Sequence, residues 1–220
     1  METFINSSCI CACMIHKLEN IVVIGSSCDG KRAVEYLMPR VDLASSVALI
    51  VPHIDNKQIY DSLKEQEVNV EGVEDGTRFE PNKAYVLGYD RQDLIMFGKK
   101  VDFENGSIRL YDTEQMCSSG KWSINHIMER IAEKYGKRSI GVILRGTGDD
   151  GARGLKVIKQ FGGKALVQFE EQRRNIKREG VWQLCTNEMS KNALKMVKPD
   201  YVGPLPSLIE KLNGYLVNTR

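Results

Sequence analysis

Net charge is nearly absent: 31 Lys and Arg against 29 Asp and Glu leave +2 over 220 residues. So small an excess offers little to a polyphosphate backbone or an anionic lipid surface, and nucleic acid is not expected as a partner. The basic residues are interleaved with acidic ones, as between Lys57 and Glu74, which is the pattern of a solvated face. No apolar run approaches the roughly 18 residues needed to span a bilayer, so no membrane insertion is expected. A secretory leader lacks its usual marks, because Glu2 stands where a basic start belongs and the apolar run behind it is short. Disulfide and metal frameworks are missing too. Cys28, Cys117 and Cys185 lie far apart in sequence. Cys9, Cys11 and Cys13 have a Cys-x-Cys-x-Cys spacing unsuited to tetrahedral zinc, with His16 alone beside them. No metal and no cofactor is expected, and a reducing cytoplasm is the expected location. Internal repeats and low-complexity linkers are also lacking.

What the chain does have is one core's worth of apolar residues in an alternating order. The composition, 42% hydrophobic and 27% charged, is that of a globular domain rather than a disordered chain. Ile21–Ile24 is a buried-strand run stopping at Gly25, followed by a short helical stretch from Ala33 to Leu37 that Pro39 ends. Val47–Val51 is a second such run, closed by Pro52 and His53, with a polar helix from about Lys57 to Glu65 behind it. Strands apolar on both faces and separated by helices predict parallel βαβ units.

The middle differs. Val68–Val73, Ala84–Leu87, Leu94–Phe97 and Ser107–Tyr111 read as short strands, and Asn105-Gly106 is a hairpin signal because its turn needs positive φ. An antiparallel hairpin extension of the sheet is predicted here. The alternation then resumes, with a Ser123-capped helix ending at Gly136, a strand over Ser139–Leu144 and a helix over Gly151–Phe161. Ala165–Phe169 is a further strand, and Glu170–Gly180 is a charged loop or helix. Helices are predicted over Met189–Val197 and Pro206–Leu212. The expected fold is α/β, a three-layer α/β/α sandwich on a mostly parallel sheet.

In such sheets reactive groups collect at the carboxyl ends of the strands. Three ends carry reactive residue types: Gly25-Ser26-Ser27-Cys28-Asp29-Gly30, Pro52-His53, and Arg145-Gly146-Thr147-Gly148-Asp149-Asp150-Gly151. If these strands are neighbours, a hydroxyl, an imidazole and a carboxylate meet on one rim. That set suits acyl transfer, because a serine becomes nucleophilic only when an imidazole takes its proton and a carboxylate fixes the imidazole. A strand-to-helix turn adds backbone amides for the developing oxyanion, and the Gly-Thr-Gly turn can add one from Thr147. Each residue also has a plainer role. Ser26 or Ser27 could cap a helix, His53 could simply pack, and Asp149 or Asp150 could stabilise the helix that follows. A phosphate-cradling loop over Gly25–Lys31 is nearly formed, but Arg32 stands where a magnesium-ligating Ser or Thr is required.

The three blocks together resemble the catalytic domain of chemotaxis protein-glutamate methylesterases, the CheB type. The likeness is carried by Val22–Ser27, by Ile50–His53 and most specifically by Gly141–Leu155, and it spans about Asn20 to Leu212. It implies Ser27 as nucleophile, His53 as base and Asp150 as the acid orienting that base, with Cys28 and Thr147 at the oxyanion hole. It also implies hydrolysis of glutamyl methyl esters on the cytoplasmic helices of methylated chemoreceptors, with glutamine deamidation in some members. Residues 1–19 are then expected to be a poorly ordered N-terminal extension and residues 20–215 a methylesterase-like catalytic domain. Many relatives carry a phospho-receiver domain; only residues 1–20 precede the first strand here, so no receiver domain is expected, and a regulator of that kind would be a separate chain. The family's Thr-Gly-Gly after the nucleophile is replaced by Cys28-Asp29-Gly30, and a usual Thr by Arg145. Its Pro-Ser-Val-Asp is replaced by Trp122-Ser123-Ile124-Asn125, and its Gly-Met-Pro is missing around Asn175–Arg178. Asp29 and Arg145 motivate the alternative expectation, a degenerate member that binds a receptor or signalling partner without turnover.

Overall fold

The computed structural model describes residues 18–28, 30–89, 99–104, 106–112, 123–170, 175–178, 181–184 and 187–217. Asp29, the strand predicted at Leu94–Phe97, the Cys9–Cys13 stretch, Cys117 and Cys185 lie outside them.

The chain order is β1 (Ile21–Ser26), α1 (Gly30–Leu37), β2 (Val47–Pro52), α2 (Asn56–Glu65), β3 (Val70–Gly72) and β4 (Lys83–Val86). A hairpin of β5 (Lys99–Glu104) and β6 (Ser107–Asp112) follows, then α3 (Ile124–Tyr135), β7 (Ser139–Ile143), α4 (Ala152–Gln160) and β8 (Lys164–Gln168). The last elements are β9 (Asn175–Arg178), β10 (Val181–Leu184), α5 (Glu188–Met196), β11 (Tyr201–Gly203) and α6 (Leu205–Val217). Pro39, which cannot donate to a continuing α-helix, sits in a 3-10 turn directly after α1.

Seven strands form one parallel sheet in the order β11-β8-β7-β1-β2-β4-β3. Every residue of β1, β2 and β7 is buried, which is why these runs are apolar without alternation. Period-two geometry then divides their side chains between two cores. Ile21, Val23, Val47, Leu49 and Val51 pack with residues of α3, α4 and α5, such as Ile127, Leu155 and Met189. Val22, Ile24, Ala48 and Ile50 pack on the other side with Val34, Ile59 and Leu208 from α1, α2 and α6. The three-layer sandwich is therefore as predicted.

Three details differ from the sequence reading. The stretches read as strands at Val68–Val73 and Ala84–Leu87 give β3 and β4, which run parallel within the main sheet. The antiparallel pair is β5–β6, a two-stranded sheet of its own turning at Gly106, whose φ is 78°. It is joined to the chain ahead of β4 by a bridge between Arg78 and Ser107. The charged segment after Glu170 holds no helix among its described residues; β9 and β10 pair antiparallel there.

Candidate active site

The order β7-β1-β2 puts the three predicted strand tips side by side. Ser26 is in register with Pro52 and Gly25 with Ile143, so the chain leaves all three strands at one rim. The His53 amide donates to the Ser26 carbonyl at 3.0 Å, the Leu144 amide to the Gly25 carbonyl at 2.9 Å and the Ser27 amide to the Arg145 carbonyl at 3.4 Å.

Side-chain parity separates the two serines. Gly25 lies on the α3 side, where an added Cβ would come within 2.6 Å of Ile124. Ser26 lies on the α1 side, where a Cβ on Gly30 would meet its Cβ at 2.4 Å. Ser26 Oγ is buried without a hydrogen-bond partner among the described residues. Ser27 returns to the α3 side, next to Gly146 and near Met189: a Cβ on Gly146 would lie 2.5 Å from the Ser27 Cβ and 2.6 Å from the Met189 sulfur. His53, two residues after Val51, falls on that same side.

Asp150 is the most heavily bonded group at the rim. Its Oδ2 lies 2.9 Å from His53 Nε2 and accepts from the Ile124 amide at 2.8 Å. Its Oδ1 accepts from the Asn125 amide at 2.9 Å, the Gly151 amide at 3.0 Å and the Ser123 hydroxyl at 3.2 Å. Burial pushes the Asp150 carboxyl upward, but the bond to His53 and the Asn125 and Ile124 amides outweigh it and hold the group below the usual carboxylate range. It is thus an anion at neutral pH, placed at the amino end of α3 where the helix dipole favours negative charge. With an anion on Nε2, that nitrogen carries the proton, which leaves Nδ1 as the basic nitrogen of a neutral His53 ring.

The two predicted oxyanion residues also meet: Cys28 Sγ and Thr147 Oγ1 lie 3.3 Å apart, so the turn after β1 touches the turn after β7. Ser27 Oγ makes a long 3.9 Å contact to Cys28 Sγ, and no bond to His53 joins it within the described residues. Arg145 is committed to Glu170 through an ion pair of 3.1 Å. The Gly146–Gly148 turn is pinned by α5: the Met189 amide donates to the Gly146 carbonyl at 3.1 Å, and the Gly148 amide to Glu188 Oε2 at 3.1 Å.

Two contributors were not singled out from sequence as site residues. Ser123 caps α3, its hydroxyl accepting from the His126 amide at 3.3 Å while also donating to Asp150. Asn125 sits in the first turn of α3 and receives two amides of the α4 end, Gly151 at 3.0 Å and Gly154 at 2.8 Å. Among the described residues no group of His, Cys, Asp or Glu could hold a metal ion, and no helix is long and apolar enough to cross a membrane.

A family model described as CheB methylesterase matches residues 22–212. A protein-glutamate methylesterase/protein-glutamine glutaminase of Escherichia coli strain K12 is 29% identical over 157 residues, covering 69% of this chain and 43% of its own. A second from Oleidesulfovibrio alaskensis is 33% identical over 161 residues, covering 70% and 42%, and one from Chromobacterium violaceum is 29% identical over 195 residues, covering 85% and 49%. The chain thus spans less than half the length of these relatives. The crystal structure of the Thermotoga maritima CheB methylesterase catalytic domain superimposes with a TM-score of 0.72 at 25% identity, covering 89% of this chain and 98% of that one.

Proposed function

Because the chain belongs to the CheB methylesterase family, we propose that residues 20–215 act as a protein-glutamate methylesterase, hydrolysing glutamyl γ-methyl esters on chemoreceptor cytoplasmic helices and deamidating glutamines at such sites. Ser27 Oγ attacks the ester carbonyl and His53 Nδ1 takes its proton. Asp150 holds the imidazole through Nε2 and stabilises its charged form. The amides of Cys28 and Thr147, on two turns whose side chains touch, receive the oxyanion. Collapse of the tetrahedral intermediate returns the proton to the leaving methoxide and releases methanol. Water, activated by the same imidazole, then frees the glutamate carboxylate and restores the serine. The reaction needs no metal or cofactor, and a cytoplasmic site of action follows from the substrate.

The observation that carries this reading is the 2.9 Å contact between His53 Nε2 and Asp150, formed on the same side of the sheet as Ser27. Family membership and the names of the relatives support the substrate class. The non-catalytic alternative draws no support from Arg145, whose charge is matched by Glu170.

The test is methanol release from membranes carrying methylated chemoreceptor. Ser27→Ala and His53→Ala are each expected to abolish it while circular dichroism remains that of the wild type, and a fluorophosphonate probe should label Ser27 alone. Activity retained by both variants would end the proposal.

A further inference from the structure

The two helices behind the site cap each other. Asp150, ahead of α4, takes the first amides of α3, and Asn125 of α3 takes the Gly151 and Gly154 amides of α4. Helix starts leave amides without intrahelical acceptors, and here each helix borrows its acceptor from the other. Gly151, which leads into α4, sits at a φ of 97° and has no side chain with which to cap. The exchange is possible because the backbones come close: a Cβ on Gly154 would lie 2.8 Å from the Asn125 carbonyl oxygen.

Resting on the Ser27, His53 and Asp150 reading above, we propose that Asn125 is a positioning residue for the reaction, fixing the carboxylate of Asp150 against His53. Asn125 reaches Asp150 twice. Its own amide donates to Oδ1 at 2.9 Å, and its side chain grips the Gly151 amide, which also donates to that Oδ1 at 3.0 Å. The turn carrying the acid is therefore clamped from α3 rather than from within α4.

Other titratable groups on the packed elements are engaged elsewhere or face solvent. His53 of the β2 tip is on Asp150 itself, and His126 of α3 lies 3.1 Å from the Val101 carbonyl of β5. Glu129 of α3 pairs with Arg153 of α4, Arg145 pairs with Glu170, and Asp149 beside the acid is exposed. A carboxylate at position 125 would accept the same two amides but add a like charge next to Asp150, which disfavours ionisation of that pair.

Wild type, Asn125→Ala and Asn125→Asp are compared by methanol release from methylated receptor membranes, with kcat and KM separated, and by carbon-13 NMR titration of the Asp150 carboxyl. Asn125→Ala is expected to lower kcat by roughly ten- to a hundredfold with KM within about twofold, as for a displaced reacting group. Asn125→Asp should recover most of that kcat at neutral pH, while the acid limb of its kcat/KM profile and its Asp150 titration both move to higher pH. An unchanged kcat in folded Asn125→Ala, or wild-type titration of Asp150 in Asn125→Asp, overturns the proposal. Should Asn125→Ala fail to fold, the Asn125→Asp titration decides alone. A wild type that releases no methanol, with the titration still moved in Asn125→Asp, sinks the esterase reading and leaves the positioning intact.

Discussion

Replacing Asp150 with Asn and with Ala should separate its two duties. The carboxylate accepts the Ile124 amide and His53 Nε2 on one oxygen and the Asn125 and Gly151 amides, with the Ser123 hydroxyl, on the other. An Asn has one acceptor oxygen for these two sides. Turned toward Asn125 and Gly151 it strands one backbone amide, that of Ile124; turned the other way it strands Asn125 and weakens Gly151. The first orientation is favoured, and it aims an NH2 group at His53, forcing the imidazole into the opposite tautomer. One orphaned amide, partly relieved by water, costs about 1 kcal/mol, so Tm should fall by about 2–4 °C in a chain of this size. The rate should fall by about four orders of magnitude, the scale associated with a wrong tautomer in such triads. Alanine strands both Ile124 and Asn125 and removes the anion from the α3 dipole. That sums to about 3 kcal/mol and a Tm lowered by about 6–12 °C, with no further loss of rate beyond that of Asn. Thermal melts followed by circular dichroism and the methanol assay read the two effects separately. Asp150→Asn within tenfold of the wild-type rate would refute the orienting role, and an Asp150→Ala melt no lower than that of Asn would refute the capping.

Two further perturbations address the neighbourhood. Gly146→Ala puts a methyl 2.5 Å from the Ser27 Cβ, so the nucleophile must move; kcat should drop by roughly a hundredfold with KM little changed, read by the same assay. Acid stability is the other. Burial opposes ionisation of Asp150, Asp200 and Asp102, but His53, Lys159 and Arg130 respectively, together with backbone amides, outweigh it and leave all three carboxyls depressed in the fold. The unfolded chain then takes up protons first, so their contribution is complete above about pH 4 and is lost as pH falls through the depressed folded values. Urea midpoints should decline from pH 5 to pH 3, and Asp200→Asn should flatten that slope; a midpoint constant over this range contradicts the assignment.

Much of the fold was readable because its strands are long, apolar and buried on both faces, which leaves an uninterrupted signature in β1, β2 and β7. β11 escaped notice because Tyr201–Gly203 is three residues long, lies at the sheet edge and keeps Val202 exposed. β9 falls in a charged stretch with no period to follow, and β10 is only four residues long. At the site, the residue types were visible at three strand ends, but the choice between Ser26 and Ser27 needed either the family likeness or the parity of β1. Asp150 does stabilise a helix start, but the helix it caps is α3, and the same carboxylate meets His53. Sequence hides this because the amides that it accepts lie more than one element upstream. The same distance conceals Asn125, which looks locally like an ordinary first-turn residue.

The strand order has a consequence for how the protein comes into being. β1 and β2 are neighbours in both space and sequence, whereas the acid waits for β7 and the turn after it, more than eighty residues on from His53. A nascent chain emerging from the ribosome therefore carries the hydroxyl and the imidazole long before the carboxylate, and the proposed triad can be complete only after β7 docks along the edge of β1.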